Sequence, residues 1–171
     1  PFPLELGEGR VSCAGMDIES AHLRRHLEGC TGAVLFAATL GAETDRLLRR
    51  AAVTDMSRAV ILQACAASLL ERYCDQCCRE IGEQAAGEGL YLRPRFSPGY
   101  GDFPITFQRA LLEALEAPKR IGLTATGAMM LTPAKSVTAV VGLSPDGRYT
   151  RPGGCGDCGS CPRTTCPYRL E

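Results

Sequence analysis

From about Met56 to Ala86 the sequence carries apolar side chains at helical spacing, with Ala59, Leu62, Ala66, Leu69, Tyr73 and Ile81 along one stripe. Asp55 is placed to cap this helix, and Gly87-Glu88-Gly89 ends it. Shorter helices are predicted from Ser20 to Glu28, with Gly29 as the stop, and from Glu43 to about Val53. Another is predicted from Pro104 to about Glu116, where Ala117-Pro118 stops it. The continuous apolar run 33–39 reads as a buried strand, and Tyr91 to Phe96 as an extended segment. In Ser136 to Leu143 the period is two, with Val137, Ala139, Val141 and Leu143 opposite Ser136, Thr138 and Val140. Ser144-Pro145-Asp146-Gly147 closes that strand with a tight turn. Strands and helices mix without regular alternation, which predicts an α+β fold with a largely antiparallel sheet.

The chain has 171 residues, enough for one domain with its own core. Lys+Arg and Asp+Glu are both 19, so no basic footprint argues for nucleic acid, and no apolar run is long enough for a membrane span. The first residue is Pro1 rather than Met, so trimming of the N-terminus stays open, and nothing present resembles a targeting segment. Ten cysteines are many, but six lie in helix- or strand-like surroundings and four crowd into the last 17 residues. That distribution favours a reducing cytoplasm and a metal site in the tail over a disulfide framework.

Between the extended run and the helix after it lies Arg95-Phe96-Ser97-Pro98-Gly99-Tyr100-Gly101-Asp102-Phe103-Pro104. Arg95 offers a fork of donors suited to a carboxylate. Gly99 and Gly101 remove side chains where a ligand could approach the backbone, and Pro98 stiffens the turn. The same residues would also make an ordinary connection between a strand and a helix. On the long helix, Glu71 sits beside the apolar stripe, where burial without a cationic partner would be costly.

This segment resembles the R-x-x-x-G-Y motif of the S-adenosylmethionine-binding activation domain of cobalamin-dependent methionine synthase. The resemblance continues through 121–136 and through Ser144-Pro-Asp-Gly-Arg-Tyr149, covering most of Ile18 to Tyr149. It is greatest to the small, free-standing versions of the domain, and it too implies an α+β fold. By the resemblance, Arg95 would hold the ligand's carboxylate and Glu71 its ammonium. Ser97 and Gly99 would give backbone contacts to the adenosine end, Tyr100 would wall the pocket, and Tyr149 would lie beside the ligand. The family's aspartate near the N-terminal edge has no counterpart that can be matched in this chain.

In the tail, Cys155, Cys158, Cys161 and Cys166 stand at spacings of two, two and four intervening residues, followed by Pro167. The run is near the ferredoxin pattern, with one more residue in the last gap, and four cysteinates would also suit structural zinc. Residues 1–149 thus read as an activation-like domain and 150–171 as a cysteine-rich metal-binding tail. Cys74, Cys77 and Cys78 share a helix face and read as core, with a further role as metal ligands left open. His22 and His26 are four apart, between charged neighbours, and read as a solvated face. Lys135-Ser136 lacks the glycine spacing of a phosphate-binding loop.

The resemblance implies an activation subunit. It would bind S-adenosylmethionine and support reductive methylation of cob(II)alamin on a partner methionine synthase or related corrinoid protein. Flavodoxin, ferredoxin or an iron–sulfur cluster in the tail would provide the electron. No catalytic side chain is required of it, since the task is positioning. The other reading of the same residues is a non-catalytic, metal-stabilised binding or assembly subunit of such a system.

Overall fold

The first nineteen residues carry an alternation that the reading above passes over. Val11, Cys13, Met16 and Ile18 point inward while Arg10, Asp17 and Glu19 stay exposed, and Ala14 and Gly15 turn between them with positive φ. A computed structural model describes residues 1–147, and in it this segment is an antiparallel meander. Its strands are β1 (Phe2–Leu6), β2 (Arg10–Cys13) and β3 (Met16–Glu19). Tyr149, the boundary between 149 and 150, and the four tail cysteines lie outside the described residues.

Next come α1 (Ala21–His26), β4 (Gly32–Thr39), α2 (Ala42–Thr54) and α3 (Met56–Ala86). Asp55 caps α3 as predicted, its carboxylate accepting from the Arg58 N–H at 3.0 Å. With 31 residues this helix is about 46 Å long. Ala59 and Ala66 of the predicted stripe are buried, but Leu69 is 59% and Tyr73 47% exposed, and Leu70 and Cys74 are buried in their stead. Ala66, Leu70 and Cys74 fall on one i, i+4 line, and Cys77, Cys78 and Ile81 prolong it. Leu69 stands one position, about 100°, away from that line.

β5 (Tyr91–Leu92) is followed by α4 (Phe107–Ala114), α5 (Ala117–Ile121), the hairpin β6 (Thr124–Ala125) and β7 (Leu131–Thr132), and β8 (Ser136–Ser144). Helix α4 starts a turn later than predicted. Residues Pro104 to Thr106 make a preceding turn, in which Phe107 and Gln108 donate to the carbonyls of Pro104 and Ile105. The break after α4 is made by Glu116 at φ +50, and Pro118 lies in the first turn of α5 rather than ending its predecessor. Proline has no N–H to lose in a first helical turn.

All pairings in the six-stranded sheet are antiparallel, in the order β3-β2-β1-β4-β8-β5, so the fold is α+β. Strand β8 lies between β4 and the short β5 and is covered on both faces. Val137, Ala139 and Val141 meet the inner face of α3, whereas Val140 joins the second core with Leu23 of α1, Leu27 at its C-cap and Leu111 of α4. Among the described residues no helix is long and apolar enough to cross a membrane.

Candidate functional site

The Arg95 segment is fixed at both ends before any ligand is considered. Arg93 donates to the Gly142 carbonyl at 2.8 Å, and Phe96 and Val140 exchange both main-chain hydrogen bonds at 2.9 and 2.8 Å. The Phe96 ring then packs against His26, Tyr100 and Phe103, with centroids 4.9, 6.0 and 6.4 Å away. His26 is therefore not on a solvated face. Its ring is half-buried and bonds the Pro94 carbonyl at 2.8 Å, and burial pushes its pKa down.

Beyond the turn, Asp102 caps α1 from 80 residues away. Its carboxylate takes the Ser20 hydroxyl and the N–H groups of Ala21 and His22, satisfying donors that the first helical turn leaves free. These contacts, led by Ser20, hold the Asp102 carboxyl below the usual aspartate range. Gly101 is required here, because at φ +56 an added Cβ would stand 2.3 Å from His22 Nδ1.

This mounting sets Arg95 over the C-terminal half of α3. Its Nη1 donates to Asp75 Oδ1 and its Nη2 to Glu71 Oε2, both at 2.9 Å, with Cys78 Sγ at 3.6 Å from Nη1. Burial acts to lower the Arg95 pKa, but Cys78 and Asp75 outweigh it and hold the group above its ordinary value. Burial is also the main cause that raises the Cys78 thiol above its ordinary value. Cys74 is pushed up to about 11, burial being the main cause. Cys74 is a core side chain, as the spacing implied, whereas Cys77 and Cys78 are partly buried beside it and Cys78 borders a cavity next to Arg95. Among the described residues no group of three or more His, Cys, Asp or Glu could hold a metal ion.

Glu71, Asp75, Arg95, Ser97 and Tyr100 all border a cavity of about 970 Å³ between α3, the Arg95 segment and the edge of β8. Ile105, Gln108, Met129, Met130, Leu131 and Thr138 also line it. Of the site residues named from the sequence, Glu71, Arg95, Ser97 and Tyr100 are thus brought together. Gly99 shapes the turn at φ +93, its own N–H donated to Phe103 and an added Cβ 3.2 Å from Ile105 Cδ1. Asp75 was missed. An acid four residues after Glu71 on one helix face was the available signal. Asp102 gave none, since its partners are remote in sequence.

Fold and cavity together define an α+β domain with a cleft between its long helix and the edge of its sheet. No protein-family model matches the chain, and no curated protein matches it. Among solved structures it is similar to a crystal structure of the MetH reactivation domain bound to AdoHcy, with a TM-score of 0.58 and 23% sequence identity. The match covers 80% of this chain and 46% of that one, so this chain spans about half the length of the solved relative. At that identity the likeness is one of fold.

Proposed function

We propose that this protein binds S-adenosylmethionine in the Arg95 cavity and supports the reductive methylation of cob(II)alamin on a partner methionine synthase or related corrinoid protein. The observation that carries this reading is the charge arrangement on the cavity wall. A zwitterionic amino-acid end needs a cation for its carboxylate and an anion for its ammonium, and Arg95 and Glu71 stand side by side there. Asp75 keeps Arg95 in place when Glu71 turns to the ligand. Ser97 and Gly99 lie at the adenosine end, Tyr100 walls the pocket, and Tyr149, outside the described residues, would lie beside the ligand. The likeness in fold to a domain bound to AdoHcy supports the same ligand class.

In the reaction, one electron from a donor such as flavodoxin or ferredoxin reduces the partner's cobalt from the cob(II) to the cob(I) state. The cobalt electron pair then attacks the ligand's methyl. A cobalt–carbon bond forms, the sulfonium–carbon bond breaks, and S-adenosylhomocysteine leaves. This chain positions the methyl and excludes water; it moves no proton. The exposed apolar rim of Tyr100, Ile105 and Met130 gives the cavity mouth a surface for the partner's cofactor face. In the tail (residues 150–171, following the 1–149 domain), Cys155, Cys158, Cys161 and Cys166 form a donor set that fits an iron–sulfur cluster. Such a cluster would supply single electrons. The unpaired thiols Cys13, Cys30 and Cys65 are in keeping with a cytoplasmic protein.

The test uses a cob(II)alamin-loaded methionine synthase that lacks its own activator, with S-adenosylmethionine and a donor too weak to make cob(I)alamin alone. The methylcobalamin spectrum should develop only when this protein is present. Equal rates with and without it rule out the activator role.

A further inference from the structure

From Ala59 to Leu70 the helix α3 carries no charged residue, and only Gln63 and Ser68 are polar. From Glu71 to Glu83 the same helix carries six charges. A helix that is apolar all round belongs in an interior. Yet only one side of this first half is covered. Ala59, Ala66 and Leu70 are buried, whereas Met56, Val60, Ile61 and Leu69 stand 59–66% exposed, with the small Ala64 and Cys65 open between them. By helical spacing Ile61, Ala64 and Cys65 face away from the buried three.

The area is that of an interface. Four large side chains with roughly 100 Å² open on each, with Val53 at the turn into α3 and the small residues between, approach the ~800 Å² that one partner of a standard interface covers. That is more contiguous apolar surface than a lone domain ordinarily leaves in water.

The patch also carries its own complement. Asp55 and Arg58 border its N-terminal end and Arg72 its C-terminal end, all three exposed. Arg58 stands one turn after Asp55, whose carboxylate caps the helix. Among the described residues Arg72 has no ion-pair partner. In a second copy laid antiparallel across the first, Arg72 of each copy meets Asp55 of the other, once on either side of the twofold axis. This register brings the bulky Val60 of each copy level with the small Ala67 of the other. It crosses the helices beside Ala64, where the side chains let the backbones approach.

We propose that the first half of α3, from Met56 to Arg72, pairs with the same segment of a second copy of this chain, in an antiparallel twofold dimer. The charged second half of α3, with Glu71, Asp75 and the Arg95 cavity, extends away from the crossing in both copies, so each cavity keeps its mouth. The proposal does not depend on which ligand the cavity holds.

Sedimentation velocity of the full chain under reducing conditions tests this, and should show a dimer that dissociates on dilution through the micromolar range. Ile61→Asp, at an exposed position outside the cavity, should raise the dimer dissociation constant at least tenfold and leave the circular dichroism unchanged. Arg72→Glu should weaken the dimer as well. The register sets the two Cys65 residues about 4.5 Å apart along the helix axes, so a short bismaleimide should join Cys65 to Cys65 between copies, as identified by peptide mass spectrometry. A parent chain that stays monomeric, or a dimer indifferent to Ile61→Asp, overturns the proposal. If the parent is monomeric and Ile61→Asp impairs methylcobalamin formation on a corrinoid partner, the face belongs to that partner and not to a second copy. A dimer that responds to Ile61→Asp but gives no Cys65–Cys65 product overturns the antiparallel register.

Discussion

The Arg95 guanidinium lies 2.9 Å from Glu71 Oε2, so the cation and the anion proposed to hold the two charges of one amino-acid head group hold each other. Glu71 is the more exposed of the two acids on Arg95, 63% against 35% for Asp75, and is the one free to swing to a ligand. Glu71→Gln should therefore weaken S-adenosylmethionine binding by about tenfold, the loss of one partly exposed charged hydrogen bond. Binding of 5′-methylthioadenosine, which has no amino-acid end, should not change. Calorimetry with both ligands checks this. A parallel loss for both would mean that Glu71 supports the fold rather than the head group.

Asp102 links the ligand segment to α1 through its contacts with Ser20, Ala21 and His22. Its folded-state pKa is lowered, so its contribution to stability is fully present above the ordinary value of 3.8. The contribution is lost as pH falls through the lowered value. Asp102→Asn should reduce the melting temperature by a few degrees at neutral pH. The gap between variant and parent should close in strong acid, which thermal melts as a function of pH will reveal. A gap that stays constant down to the acid limit would show that the carboxylate charge is not what ties the two segments.

Much of the scaffold is legible in the sequence because its signals are local. The Asp55 cap and the helical period give α3, and β4 reads from a continuous apolar run. The face of α3 is less legible, because Leu69 and Leu70 are equally apolar and only the sheet decides which of them is buried. The two-sided burial of β8 comes from the helices packed on its two faces, not from its alternation. In the site, Arg95 and Glu71 stand out as charged residues beside apolar runs. What escapes is long-range. The pairing of Asp75 with Arg95 and the capping of α1 by Asp102 both depend on how the 93–96 segment lies on β8.

For the tail, four thiolates at close spacing predict that metal loading changes access to the neighbouring arginines. Limited trypsin digestion after Arg151 and Arg163 should be at least several-fold slower in anaerobically purified, loaded protein than after chelation. Visible absorbance that dithionite bleaches would identify the centre as iron–sulfur, and a colourless protein with bound zinc would assign it a structural role. Equal cleavage of loaded and chelated protein would remove the tail from consideration as a metal site.

The cavity reading depends most on Arg95, which touches Glu71 and Asp75 of α3. Calorimetric titration of S-adenosylmethionine into the parent chain and into Arg95→Ala measures that dependence directly. Losing a charged hydrogen bond to the ligand's carboxylate costs about 1.5–3 kcal/mol, so affinity should fall by roughly one to two decades while the fold, followed by circular dichroism, stays intact. An Arg95→Ala protein that binds as tightly as the parent, or a parent that does not bind at all, would contradict the account.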